Sequence, residues 1–544
     1  MLTNRGGIIP VWGESLEVFG RKLMDEEFVE KRKEYELRWS LERVHLGFVI
    51  RGWIKGKPGR VEIARFDVPK RVVAGGWQSW SPFRLVETDG YTFNPGSWRF
   101  RNSPVPEKNN LSDYILITRD MTAGFLSSRY GHPFFSIEGS EVVAYIEYFD
   151  SKFEDFVPLE PLAVLNAPEH LSPRLYADLL ARENNVKRNH LDPLVWCSWY
   201  RYYDALEWKD VLKNLEMAPS FGFEVFQIDD GYETNIGDFL DVKEGFPDLY
   251  EIARKVRERG MKAGIWVAPF IASESSKLFR KQPDWFVKEG EKPVPVLRNW
   301  GRDIYALDLT RRDVLDHVEG LFRKLRSIGF EYFKVDFLFA GAVPGERQRG
   351  GPIEAYRMGM EAIRRGAGSA FVLGCGAPLL PSIGLVDGMR VGEDTSESWE
   401  GDEISMKNAL RNAITRYFFS RVWRNDPDCL ILRKSVPENQ RRVFALTAGA
   451  LDGLICVSDD LDEVDDLGRE ILRKALSLKG GKVVVRGILD EEYEIEVKGA
   501  KIGNAILKVN LDEPSMEIEL SERLSLEREI EVKDGRIFAF YWRD

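Results

Sequence analysis

EYFKVDFLF, residues 331–339, reads as a buried strand that carries an ammonium and a carboxylate on one face. Side chains alternate along a strand, so Lys334 and Asp336 point one way while Phe333, Val335, Phe337 and Phe339 point the other. A structural ion pair would explain Lys334 and Asp336 cheaply. The sequence on either side argues for more.

Strand-like runs alternate with amphipathic helices through the middle of the chain. The runs are LVWCSWY (194–200), FEVFQIDD (223–230), KAGIWVAPF (262–270), EYFKVDFLF, SAFVLGCG (369–376), DGMRVGED (387–394), DCLIL (428–432) and GLICVSDD (453–460). Between them lie helical stretches such as WKDVLKNLEMA (208–218), RRDVLDHVEGLFRKLRSIG (311–329) and IEAYRMGMEAIRRG (353–366). Eight strands separated by helices predict an α/β chain built around a (β/α)8 TIM barrel. A ninth run, IYALDLT (304–310), is assigned to the lead-in and N-cap of the following helix. Before the barrel, short alternating runs from about 12 to 165 predict an N-terminal antiparallel β-sandwich. After it, KVVVRGILDEEYEIEV (482–497) and AILKVNLD (505–512) predict a small C-terminal β-domain, continued by RIFAFYWRD (536–544). The expected domains are 1–175, 176–478 and 479–544.

Composition narrows the function. Acidic residues number 88 against 77 basic, a net charge of -11, which argues against nucleic acid as a partner. No apolar stretch approaches the roughly 20 residues that span a bilayer, and the N-terminus lacks a signal-peptide pattern. A soluble, cytoplasmic protein without a membrane partner is expected. The four cysteines form no CxxC pair and sit in apolar runs, so they read as reduced and buried. Charged residues make up 30% of the chain, which suits a thermophilic source. Fifteen Trp supply aromatic surfaces of the kind sugar rings pack on.

Polar residues concentrate at the C-terminal strand ends, where such barrels place catalytic groups. They are Asp229 and Asp230, Lys334 and Asp336, Cys375, and Arg390 with Asp394, while Asp428 opens the DCLIL run. Asp459 and Asp460 precede a helical run and are read as caps or loop anchors. Separate carboxylates, flanking aromatics and no ligand cluster fit glycoside hydrolysis, with one carboxylate attacking and the other moving protons. Lys334 would keep Asp336 ionised. Asp229, Asp230 and Arg390 would hold hydroxyls. Metal-assisted hydrolysis would want His at strand ends. The five histidines, His45, His132, His170, His190 and His317, fall outside every proposed barrel strand, so neither metal nor cofactor is expected.

WQSW (77–80), WCSWY (196–200), FQIDDGY (226–232), GIWVAPF (264–270), KVDFLFAGAVPGER (334–347), LGCGAPLLP (373–381) and DGMRVGEDT (387–395) resemble glycoside hydrolase family 36 α-galactosidases. The likeness is greatest to the compact thermophilic bacterial members and continues through ALRNAITRYF and NDPDCLILR. It implies retaining cleavage of terminal α-galactosides of the melibiose or raffinose type through a covalent galactosyl-enzyme. By motif, Asp336 takes the nucleophile's place and Asp394 that of the acid/base. Asp229 and Asp230 would bind the hydroxyls at C4 and C6. Lys334, Cys375 and Arg390 would line the remaining sugar edge, and Trp199, Tyr200 and Trp266 would wall the pocket. Trp80 would lean in from the N-terminal domain. An α-N-acetylgalactosaminidase or a galactosyl transferase resembling raffinose synthases is the alternative. Family members tend to carry a proline or small residue before the acid/base, where this chain has Glu393. Strand parity favours Asp394, which shares a face with Arg390 while Glu393 points away. The chain lacks the extra length of the tetrameric members, so a monomer or homodimer is expected.

Overall fold

In the computed structural model of the chain, residues 28–91, 103–105, 107, 109–187 and 191–520 are described in full. Six short strands between 3 and 22 and between 530 and 540 are described by backbone alone.

The central sheet has eight parallel strands: β1 Val195–Cys197, β2 Val225–Ile228, β3 Lys262–Val267, β4 Phe330–Val335, β5 Phe371–Gly374, β6 Gly388–Arg390, β7 Arg424–Asp426 and β8 Cys456–Val457. They pair in chain order from β1 to β7, and β8 pairs with β1. Almost every strand residue is buried, as parallel sheets covered by helices require. The covering helices bury one stripe each. In Arg312–Ile328 the stripe is Val314, Leu315, Val318, Leu321, Phe322 and Leu325.

Closure between β7 and β8 is thin. In place of a continuous ladder, an isolated parallel bridge joins Leu430 to Val457 across that seam, and Leu454 N donates to Asn425 O (2.7 Å).

Three expected runs differ in detail. The seventh strand is Arg424–Asp426, and 428–432 follows it. Pro427 has no N–H to give a ladder, and Asp428 adopts φ 80, so the chain turns there. Asp428 therefore stands at the C-terminal rim, not at the opposite end of a strand. Strand β4 stops at Val335, because Phe337 at φ 52 turns the chain into the short helix Leu338–Ala342. The run at 304–310 supplies a strand, Arg302–Ala306, in a three-stranded antiparallel sheet outside the barrel with Ile271–Ser273 and Pro295–Asn299.

The N-terminal region forms two antiparallel sheets, of nine and six strands. Between strands Arg71–Gly75 and Phe83–Glu87, the loop carrying Trp77–Ser81 reaches the barrel mouth and is clamped there. Ser79 N donates to Ala377 O (2.9 Å), Leu379 N to Trp77 O (3.1 Å), and Gln78 bridges Pro378. Buried Arg416 donates to Ser79 O (3.2 Å) and to Val391 O (2.9 Å), tying that loop to the end of β6. Helix Ser172–Glu183 leads into the barrel, and its Tyr176 hydroxyl donates to Phe125 O (2.5 Å).

A four-stranded antiparallel sheet, Lys482–Arg486 to Ser515–Leu520, packs on helix Glu438–Ala450. Trp399 Nε1 donates to Leu511 O (2.8 Å), linking the loop after β6 to this sheet. Among the described residues no helix is long and apolar enough to cross a membrane.

Candidate active site

Just beyond β2, Asp229 and Asp230 leave the sheet fully enclosed. Asp229 accepts from Lys334 Nζ (2.9 Å) on β4 and from Gln227 Nε2, and its own amide donates to Ser198 Oγ (2.9 Å). The expected pairing of Lys334 with Asp336 is thus replaced by one with Asp229. The ammonium reaches past β3 to the end of β2, two strands away, where side chains of alternate strands share a layer. Burial works against the ammonium, yet the Asp229 carboxylate holds its pKa well above the ordinary value. Both side chains are almost wholly buried, so removing either would strand a charge.

Asp336 accepts from Trp266 Nε1 at the end of β3 (3.0 Å) and from Phe337 N (2.8 Å). Phe337 itself is left-handed, a conformation that bulky residues adopt only where the surroundings hold them. Its ring lies 5.1 Å from Trp80 and 5.1 Å from Trp300. Trp80 itself rests on Gly376, where an added Cβ would fall 3.0 Å from the indole.

Trp300 is a site residue that the sequence reading missed. It occupies a two-residue hairpin turn with Gly301, at φ 51 and φ 70, and donates its indole N–H to Asp230 Oδ2 (2.8 Å). Such turns favour Asn or Gly, and a Trp in the NWGR turn was the available signal. Burial raises the pKa of Asp230 and of Glu233, and the Asp230 charge adds to the rise in Glu233.

Two strands round the barrel, Arg390 is fully buried and reaches three carboxylates. Nη1 donates to Asp394 (2.9 Å), Nε to Asp426 (3.4 Å), and Nη2 pairs with Asp428 (2.5 Å). Asp428 also takes the Tyr200 hydroxyl and Thr395 N (2.8 Å), so Tyr200 serves the rim through that carboxylate. Burial pushes the Asp428 carboxyl up to about 6, against the pull of Arg390. Asp426 was missed, and Asp428, noted at the opening of DCLIL, was given no role, because the NDPD run reads as preceding its strand.

Asp394 is the open member of the group, with 30% of its side chain exposed. Glu393 goes elsewhere: it is buried and accepts from Asn412 Nδ2, whose Oδ1 takes Phe83 N (2.7 Å) of the sandwich. The backbone there is past β6, so the separation comes from these partners rather than from a strand's alternation.

Cys375, just after β5, is buried among these groups; burial and the Asp336 carboxylate push its thiol well above the ordinary value. Trp199 is half-buried and edge-on to Tyr203 at 5.2 Å. Asp459 and Asp460 anchor loops as expected. Asp459 accepts Leu432 N and Arg433 Nη1 (2.8 Å), and Asp460 pairs with Lys213 (2.9 Å). Of the histidines, His132 pairs with Asp113 inside the sandwich (2.6 Å), and His190 lies outside the described residues.

Two adjoining family profiles match residues 40–340 of the chain. "Alpha-galactosidase, N-terminal" matches residues 40–166 and "Melibiase" matches 165–340, together more than half of the 544 residues. An α-galactosidase from Thermus thermophilus, solved with p-nitrophenyl α-D-galactopyranoside, superposes with TM-score 0.70 at 27% identity over 86% of this chain and 98% of that one. The chain belongs to glycoside hydrolase family 36. Among curated relatives, Geobacillus stearothermophilus α-galactosidase AgaA is 30% identical over 34% of this chain, a stretch spanning 27% of AgaA. The Lactobacillus acidophilus enzyme Mel36A is 30% identical over 30% of this chain and 24% of its own length. The crystal structure of AgaA shares the family 36 fold, with TM-score 0.61 at 16% identity over 95% of this chain and 80% of that one. Asp336 lies inside the Melibiase match and Asp394 beyond it.

Proposed function

We propose that the chain hydrolyses terminal α-galactosides with net retention, Asp336 acting as nucleophile and Asp394 as acid/base. The observation that carries this reading is the difference between the two carboxylates. Asp336 is buried and oriented by the Trp266 indole and the Phe337 amide. Asp394 is partly open to water and held by one arm of Arg390. A nucleophile must be aimed, whereas an acid/base must exchange a proton with water between the two half-reactions.

In the first step an Asp336 oxygen bonds to the anomeric carbon from the β face. The glycosidic bond breaks as Asp394 gives its proton to the leaving oxygen. In the second step Asp394 takes a proton from water, which attacks from the α face and releases Asp336. A retaining pair works with its carboxyl groups about 5–5.5 Å apart. Asp230, braced by Trp300, and Asp229, braced by Lys334, would receive sugar hydroxyls as charge-assisted acceptors. Trp80, Phe337 and Trp300 form an aromatic cluster that would exclude water.

The Thermus enzyme was also solved with stachyose. By analogy, oligosaccharides of the raffinose type are the proposed substrates here. Hydrolysis of p-nitrophenyl α-galactoside, compared with the α-N-acetylgalactosaminide, α-glucoside and β-galactoside, tests the assignment. Turnover confined to the α-galactoside is expected. Preference for the N-acetylated sugar would move the chain to the alternative specificity.

A further inference from the structure

Three thiols meet at the thin seam of the barrel. Cys197 ends β1, Cys456 opens β8, and Cys429 follows the turn at Pro427–Asp428. All three are buried, and their Sγ atoms lie within 4.8 Å of one another. Cys429 and Cys456 are in contact at 3.0 Å. Nothing in the spacing 197, 429, 456 announces such a cluster; barrel closure creates it.

Buried free cysteines usually act as small hydrophobes. Here three of the chain's four converge from separate elements on one point. The site borders the carbohydrate pocket: Cys197 Sγ is 3.3 Å from Asp229 Oδ2, and Gln227 Nε2 donates to the same sulfur (3.5 Å). Sulfurs bound at about 2.3 Å around one ion stand roughly 3.8–4.0 Å apart. That fits inside the observed cluster once Cys429 and Cys456 part by about 1 Å. Thiolate donors select soft cations such as Cu(I) and Zn(II) over hard ones.

We propose that Cys197, Cys429 and Cys456 form a binding site for one thiophilic d10 cation, set against the back of the carbohydrate pocket. Loading forms three metal–sulfur bonds and releases the thiol protons to solvent, with no change of oxidation state. A monovalent ion would keep three sulfurs, and a divalent ion would add the Asp229 carboxylate as a fourth ligand.

The test is titration of the reduced full-length chain with Cd2+ and, separately, with Ag+. We expect one equivalent per chain, a sulfur-to-metal charge-transfer band with Cd2+, and three sulfur neighbours by X-ray absorption with whichever ion binds more tightly. An oxygen neighbour assigns the divalent class, and its absence with tighter Ag+ binding assigns the monovalent class. Cys375→Ala, which removes the remaining cysteine, should keep the band. Cys429→Ala and Cys456→Ala should each weaken binding by about 100-fold or more. Fewer than three sulfurs in the wild-type chain overturns the proposal whether or not a variant folds. So does a band undiminished in folded Cys456→Ala, or one lost in Cys375→Ala alone.

Discussion

The two sides of the pocket hold their carboxylates by opposite means. On the β2–β4 side, Asp229 and Asp336 are almost sealed from water and surrounded by directed donors: Lys334, Gln227, Trp266 and the Phe337 amide. On the β6–β7 side, one guanidinium is shared among Asp394, Asp426 and Asp428, and the outermost carboxylate reaches solvent. The first arrangement fixes an oxygen in place. The second fixes an arginine and leaves one acid free to exchange its proton. The division of labour proposed for Asp336 and Asp394 follows from that difference.

The largest expected effect comes from breaking the fixed side. Asp336→Asn should lower kcat/KM at least about 10^4-fold on every galactoside while leaving the thermal unfolding midpoint near that of the parent. An effect of the same size confined to substrates with poor leaving groups would move the nucleophile elsewhere. On the open side the loss should depend on the leaving group. Asp394→Asn should cost about 10^2–10^4-fold on oligosaccharides and far less on p-nitrophenyl galactoside, where little protonation is needed. Equal losses on both substrates would argue against an acid/base at that position.

A finer change sharpens the contrast. Trp266→Phe removes one of the two donors to Asp336 and keeps most of the packing. A hydrogen bond to a charged group is worth about 1.5–3 kcal/mol, so a fall of about 10- to 100-fold in kcat is expected. Unchanged kcat would show that the Phe337 amide suffices.

Stability should respond to pH through a buried carboxyl away from both sides. Burial pushes Asp459 up to about 6 from an ordinary 3.8, only partly offset by Arg433. Its proton is therefore bound more tightly in the folded chain. The stabilisation is fully present below about pH 4 and is lost as pH rises through about 6, about 3 kcal/mol in all. Urea midpoints should fall over that window, and Asp459→Asn should flatten the profile. The smallest effect is reserved for Glu393→Gln. With its carboxylate spent on Asn412, activity should change by less than about threefold.

Much of this was legible in the chain. Eight apolar runs with polar ends announced the barrel, and residues at those ends do converge: Asp229, Asp230, Lys334, Asp336, Arg390 and Asp394 all stand at one mouth. What stayed hidden depends on backbone turns that periodicity does not encode. Phe337, Trp300 and Asp428 are each left-handed, and each departs from its run to place a donor, an indole or a carboxylate at the site. Partners across strands were equally invisible. Lys334 and Asp336 share one strand and its end, yet the ammonium is claimed by Asp229 two strands away, because side chains of alternate strands meet inside the barrel. The thiol cluster is the extreme case, since it needs the barrel to close.

The central claim is that Asp336 and Asp394 act from opposite faces of the sugar, and azide rescue reads those faces directly. In Asp336→Gly, azide would enter the vacated space and attack an activated α-galactoside from the β face, giving β-galactosyl azide. In Asp394→Gly, the galactosyl-enzyme still forms, and azide would replace water on the α face, giving α-galactosyl azide. Proton NMR of the two products should show those two configurations. α-Galactosyl azide from Asp336→Gly, or β-galactosyl azide from Asp394→Gly, would contradict the assignment.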